Sequence, residues 1–130
     1  MTTLFDIAQN WLNQDPDAET HAELTALLTA AKNGDEKAHA ELQARFSDRL
    51  QFGTAGLRGP LQAGSMGMNR VLVAQAAGGL ADYLKDYDKQ PSIVIGYDGR
   101  KNSDVFARDT AEIMAGAGVK AYLLPRKLPT

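Results

Sequence analysis

Ser92–Pro125 reads SIVIGYDGRKNSDVFARDTAEIMAGAGVKAYLLP, and its order of patterns decides the fold. Ser92 to Tyr97 is a short apolar, β-branched run of the kind found in buried strands. Asp98-Gly99 ends it. Asn102 or Ser103 can cap the helix that follows, with Phe106, Thr110, Ile113 and Ala117 on its buried side. Gly116 and Gly118 close that helix, and VKAYLLP is a second buried strand. Strand, helix, strand in so short a span is a βαβ unit. The expected class is therefore α/β: a three-layer α/β/α sandwich with a mixed sheet, helices on both faces.

Working back from it, Val71 to Tyr87 is a helix whose Val73, Ala77, Leu80, Leu84 and Tyr87 share one face. Gly78-Gly79 inside it predict close packing against a neighbour, since each costs about 1 kcal/mol relative to Ala. LRGPLQAGSMGMN, from Leu57, is glycine-rich and predicts one or two short strands joined by loops. Before Leu50 the pattern is helical throughout. Leu4 to Asn13 is one helix. Asp15-Pro16-Asp17 starts the next, with Asp15 as N-cap and Pro16 at the first helical position. Leu24, Leu27, Leu28 and Ala31 form its buried face, and Asn33-Gly34 stops it. Asp35 caps a third helix with a stripe of Ala38, Leu42 and Phe46. The expected division is a helical section over 1–49 and an α/β domain over 50–130.

Bulk properties exclude more than they assign. The chain has 130 residues, 44% apolar and 23% charged, with a net charge of −2 and no cysteine. That length suits one domain with a real core. The charge gives no electrostatic case for nucleic acid or an acidic membrane. Without cysteine there is no disulfide and no thiolate metal site. The N-terminus lacks a basic region followed by an apolar run, so no secretory signal is read. No stretch approaches the ~20 apolar residues of a membrane span. A cytoplasmic protein is expected. His21 and His39 fall among polar neighbours without ligand spacing and are read as surface residues.

Two stretches carry chemistry. QFGTAGLRG, Gln51 to Gly59, spaces three glycines around Arg58. Glycine lets backbone approach a ligand, and arginine offers a planar fork of donors for phosphate or carboxylate oxygens. The stretch is either a loop built around an anion or a tight turn with one solvated arginine. GYDGRKNS lies just past a strand end, where ligands bind in open α/β sheets. There Arg100 and Lys101 stand beside a helix N-terminus that favours anions, or Asp98-Gly99 is a plain turn and Arg100 is solvated. Loops of such similar make-up can converge on one sheet edge, where two guanidinium forks suit a phosphate dianion. Neither G-x-x-x-x-G-K-[ST] nor G-x-G-x-x-G occurs, which disfavours an ATPase or a dinucleotide enzyme.

FGTAGLRG, GMNRVLVAQAAGGLADYL, IVIGYDGRKNSDVFARDTAEIMAGAGVKAYLLP and the closing LPT together resemble the first domain of the α-D-phosphohexomutases, over roughly Leu50 to Thr130. That family includes phosphoglucomutases and phosphomannomutases. The resemblance implies a mutase that moves a phosphoryl group between C1 and C6 (or C5) of a phosphosugar through a phosphoserine and a bisphosphosugar, with Mg²⁺ held by a later domain. By the same resemblance Arg58 faces the phosphoserine and the transferring phosphoryl, Thr54 and Gly56 shape its loop, and Arg100 supports that loop. The family's T-A-S-H-N serine motif and D-G-D-x-D-R metal motif do not occur here. The expectation is accordingly a fragment of a mutase, inactive alone, with Mg²⁺ and a bisphosphosugar serving the parent enzyme and neither bound to these residues. Exposed strand edges would make it self-associate as a homodimer. The alternative is a self-standing α/β module that binds a phosphorylated ligand or a protein.

Overall fold

Carboxylates and a glycine set the bounds of the first three helices. A computed structural model describes residues 3–54 and 56–129; Ala55 of the glycine motif and Thr130 of the closing L-P-T lie outside the described residues. Helix α1 spans Leu4–Gln14 behind a capping box, Thr3 and Asp6 each accepting from the other's backbone N–H. Helix α2 spans Ala18–Lys32, and its N-cap is Asp17 rather than Asp15. Pro16 therefore precedes the helix. Asp15 closes the approach instead, its carboxylate accepting from the Asp17 N–H and from the Thr20 hydroxyl. Gly34, at φ +93, ends the turn after α2, and Asp35 caps α3, Glu36–Arg45, as its position predicts.

These helices enclose one core. Leu24 and Leu42 are fully buried, with Ala8, Trp11, Leu12, Leu28, Ala31 and Ala38 around them. Burying a leucine this completely is worth about 1.5–3 kcal/mol. Leu27 and Phe46 are half-buried at its margin, and Phe46 meets Trp11 edge to face with centroids 5.5 Å apart. His21 and His39 are both exposed, as read from their polar neighbours. Two very short strands follow, β1 (Phe52–Gly53) and β2 (Gly56–Leu57), paired antiparallel.

The chain gathers into two compact units, Met1–Leu72 and Val73–Thr130, and the division falls inside helix α4, Arg70–Tyr87. The second unit also contains β3 (Ser92–Ile95), α5 (Ser103–Gly116) and β4 (Lys120–Leu123). Strands β3 and β4 run parallel, Ser92 opposite Lys120 and Ile95 opposite Leu123, which is the βαβ pairing the sequence predicts. The small core of this unit is Ala77, Ala81, Met114 and Val119, with Ile93 and Ala121 packed on it from the strands. The architecture is α/β, with two small sheets among the described residues.

Three expectations need correction in this unit. The strands are not buried on both faces: Ile93 and Ala121 turn to the core, while Val94 (67% exposed) and Tyr122 (48%) alternate to the other side. On α4 the inward stripe is Ala77, Ala81 and Leu84, leaving Leu80 and Tyr87 exposed. The Gly78-Gly79 pair faces away with it, and among the described residues nothing lies within 4 Å of where either Cβ would stand. On α5, Ile113 and Ala117 pack against the small core as expected, Phe106 and Thr110 are half-buried, and the most buried positions are Ala107, Asp109 and Met114.

Candidate functional site

The two arginine loops take different forms. In the first unit, Gly53 pairs with Gly56 and Phe52 with Leu57, so Gln51 to Gly59 is a hairpin with Thr54 at its exposed tip. Gly56 holds φ +96, a conformation an L side chain adopts only under strain, which explains a glycine at that corner. Leu57 packs against the helical core, and Arg58, the first residue past β2, is exposed. Thr54 and Gly56 lie in the hairpin, and Arg58 follows it directly at an exposed position.

In the second unit, Arg100 closes on its own neighbour. Its backbone N–H donates to Asp98 Oδ1 (3.0 Å) and its Nε to Oδ2 (2.9 Å), with Nη2 at 2.8 Å from the same oxygen. The Asp98 backbone N–H donates to Ser103 Oγ (3.1 Å), and the Ser103 hydroxyl adds to the bonds that favour the ionised Asp98 carboxyl. The Arg100 guanidinium and N–H bonds hold the Asp98 carboxyl below its ordinary pKa, and the carboxylate in turn raises that of Arg100. Asn102 sits at the N-cap position of α5 with φ +67 and makes no side-chain cap, so neither predicted residue caps that helix in the usual way. Lys101 is exposed beside it. Arg58 belongs to the first unit and Arg100 to the second.

Sequence reading missed the residues that fix the first loop from behind. Asn69 is 2% exposed. Its Oδ1 accepts from the Leu72 N–H (2.9 Å) at the start of α4, and its Nδ2 reaches the carbonyls of Gln62 and Gly64 (2.8 Å each) and Gly67 (3.2 Å). An asparagine directly before an apolar helical pattern is a capping signal, and M-N-R-V-L-V contains it. Arg45 is the second such residue. Its guanidinium pairs with Glu23 and Glu41 and touches the Ala63 carbonyl. Burial opposes its charge, but the hydrogen bonds and charges of the two glutamates outweigh that and raise its pKa.

With both loops placed, the comparisons with known proteins fit the same stretch of chain. Residues 49–130 match the family described as phosphoglucomutase/phosphomannomutase, alpha/beta/alpha domain I, and the chain belongs to that family. Among similar proteins are a probable phosphomannomutase of Haemophilus influenzae, 94% identical over 65 residues (50% of this chain, 13% of the relative). A phosphoribomutase of Saccharomyces cerevisiae is 42% identical over 115 residues (88% of this chain, 18% of the relative). A human glucose 1,6-bisphosphate synthase is 35% identical over 130 residues (92% of this chain, 20% of the relative). The chain thus spans a fifth or less of the length of these relatives. No solved structure matches it.

Proposed function

We propose that this chain is part of a phosphosugar mutase, an intramolecular phosphotransferase that moves a phosphoryl group between the C1 oxygen and the C6 or C5 oxygen of a sugar phosphate. Residues 50–130 begin its three-layer α/β/α domain with a mixed sheet, behind a helical section over 1–49. The route runs through a phosphoserine: the serine P–O bond breaks as a sugar hydroxyl oxygen bonds to phosphorus and gives up its proton. The resulting bisphosphosugar returns its other phosphoryl to the serine. Phosphoryl transfer of this kind needs positioning and charge neutralisation more than covalent help. Arg58 is the residue that supplies the charge, its fork facing the phosphoserine and the phosphoryl in transit. Thr54 and Gly56 shape its hairpin. Arg100, engaged with Asp98, supports the site rather than contacting the reacting phosphorus.

The observation that carries this reading is Arg58, exposed beside the glycine hairpin, inside the stretch that matches domain I. Names of the relatives support the substrate class, since mannose, ribose and glucose phosphates all present the same phosphoryl group. The Mg²⁺ and the bisphosphosugar activator are assigned to the whole enzyme. Among the described residues no group of three or more His, Cys, Asp or Glu is placed to hold a metal ion. No described helix is long and apolar enough to cross a membrane. The working partner is the phosphosugar, with neither nucleic acid nor membrane involved, in the cytoplasm. The 130 residues alone form a homodimer through the bare face of β3 and β4.

The test is Arg58→Ala in the full-length protein. A fixed cation on a transferring phosphoryl is worth about 10³-fold in kcat, or about 4 kcal/mol. Stability should change by under ~0.5 kcal/mol, because the side chain is exposed. A kcat within about threefold of wild type would show a solvated arginine on a turn and overturn the assignment.

A further inference from the structure

Helices α1–α3 hold no reacting group, yet their C-terminal end is bonded to the base of the Arg58 hairpin. The connection is the loop Ala63–Asn69. On one side it is seated on α3. The Met66 N–H donates to the Arg45 carbonyl (3.1 Å), the Ser65 hydroxyl donates to the Asp48 carbonyl, and the Arg45 guanidinium reaches the Ala63 carbonyl (3.3 Å). Gly64 allows this seat, because it holds φ +103 and a Cβ there would stand 2.6 Å from the Arg45 carbonyl oxygen.

On the other side the loop holds both ends of the hairpin. The Leu50 N–H, where the chain enters, donates to the Ser65 carbonyl (2.9 Å). The Pro60 carbonyl, where it leaves, accepts from the Met68 N–H (2.8 Å). Ser65 and Met68 are kept in one arrangement by Asn69, whose amide shares its two N–H donors among the carbonyls of Gln62, Gly64 and Gly67. Backbone groups buried this deeply must be bonded, so the side chain replaces what a strand ladder would otherwise supply.

We propose that Ala63–Asn69 is a clasp, that Asn69 is its key, and that Asn69 acts as a positioning residue for Arg58. The hairpin itself has only two pairs of facing residues, too few to hold a guanidinium in place alone. The clasp fixes its entry and exit against the core of α1–α3, so the helical section becomes part of the machinery that aims the cation. Electrostatic catalysis depends on such prior fixation, since charge already in place needs no reorganisation during the reaction. The proposal rests on the mutase reading for its catalytic half and on hydrogen bonds alone for its structural half.

Asn69→Ser separates the clasp from helix capping. Serine is an equally good N-cap, so α4 keeps its start, but the amide donors to three carbonyls are lost. In the 130-residue chain, amide exchange at Leu50, Met68 and the hairpin should speed up by about tenfold or more, with Leu24 and Leu28 unchanged. In the full-length protein kcat should fall about 10–100-fold with KM within about threefold, as for a misplaced catalytic group. Ser65→Ala, which removes the single hydroxyl bond to Asp48, should move both readouts the same way by less. It serves as the test should Asn69→Ser fail to fold. Unchanged hairpin exchange in the folded variant overturns the clasp. Faster exchange with unchanged kcat, while Arg58→Ala is inactive, overturns the positioning role and leaves the mutase reading intact. An active Arg58→Ala overturns the mutase reading and leaves the clasp to stand on exchange alone.

Discussion

The two arginine loops look alike in sequence and are built on unlike supports. Arg58 stands on a hairpin pinned to a three-helix core that contains fully buried Leu24 and Leu42. Arg100 stands at the end of a two-stranded sheet over a small core of Ala77, Ala81, Met114 and Val119. The first loop is fixed by backbone bonds to a neighbouring loop, which leaves the shaping of its tip to glycine. The second is fixed by its own ion pair, Arg100 to Asp98, which directs the guanidinium back at its own loop. Glycine plus arginine is therefore not a description of a function. What differs is the support: backbone bonds to a neighbouring loop in the first, an ion pair within the loop in the second.

The largest test of that contrast is to remove everything except these residues. The 130-residue chain should show background rates in a coupled assay with glucose 1-phosphate and the bisphosphate activator. The reason is chemical: Ser47, Ser65, Ser92 and Ser103 stand in no context resembling the family's serine motif. Ser65 is further committed to the Asp48 carbonyl. Turnover that disappears when one of these serines is changed would show that the nucleophile lies within this chain after all.

Next in size is the difference between the arginines in the full-length protein. Arg58→Ala should lower kcat by about 10³-fold, and Arg100→Ala by about tenfold or less, since Arg100 supports the site through Asp98 and does not face the phosphoryl in transit. Equal losses would mean that the two loops act on the same phosphoryl and that the distinction drawn from Asp98 is wrong.

How much of this was legible beforehand follows the range of the interactions. The helices and the parallel strand pair were readable because caps and periodicity are local signals. The shift of the α2 cap from Asp15 to Asp17 was not, because three acidic-or-proline residues in a row offer two workable caps and the Thr20 hydroxyl decides between them. The exposed faces of Leu80, Val94 and Tyr122 were misread for a different reason. An apolar run states that a surface is fit for burial, and whether anything covers it is a tertiary matter. The clasp was invisible because its bonds, from backbone N–H groups and from the Asn69 amide to loop carbonyls, follow no periodicity. Asn69 alone had a local signature, as a cap.

That uncovered surface separates the units in a third way. Among the described residues β3 and β4 each pair on one side only, and Val94, Tyr122 and Leu123 are exposed on or beside the free face. Unpaired edges and apolar faces recruit other chains, and a closed two-fold pair is the commonest result. Light scattering at tens of micromolar should give twice the 14.0 kDa of one chain. Val94→Lys should return it to a monomer, because two like charges would then face each other across the pair. A monomer mass for the unaltered chain across that range rules the homodimer out.

The smallest effect tests the ion pair that sets Arg100 apart. Hydrogen bonds from the Arg100 guanidinium and backbone N–H favour the ionised Asp98 carboxyl and place its folded pKa below the unfolded one. A carboxyl shifted in that direction stabilises the folded loop at pH values above its unfolded pKa, and the contribution is lost as pH falls through the lowered folded value. Titration of the Asp98 side chain by carbon NMR should therefore give a midpoint below that of an unperturbed aspartate. Arg100→Ala should raise the midpoint toward the ordinary value, leaving the weaker hydrogen bonds from the backbone at residue 100 and from Ser103. Added salt should act in the same direction, though less than the substitution, because the guanidinium is 76% exposed and its charge is screened. A midpoint at or above the ordinary value in the unaltered chain would mean that Arg100 is not held by Asp98 in solution. Its fork would then be available to a phosphate, and the account of the second loop as closed on itself would fail.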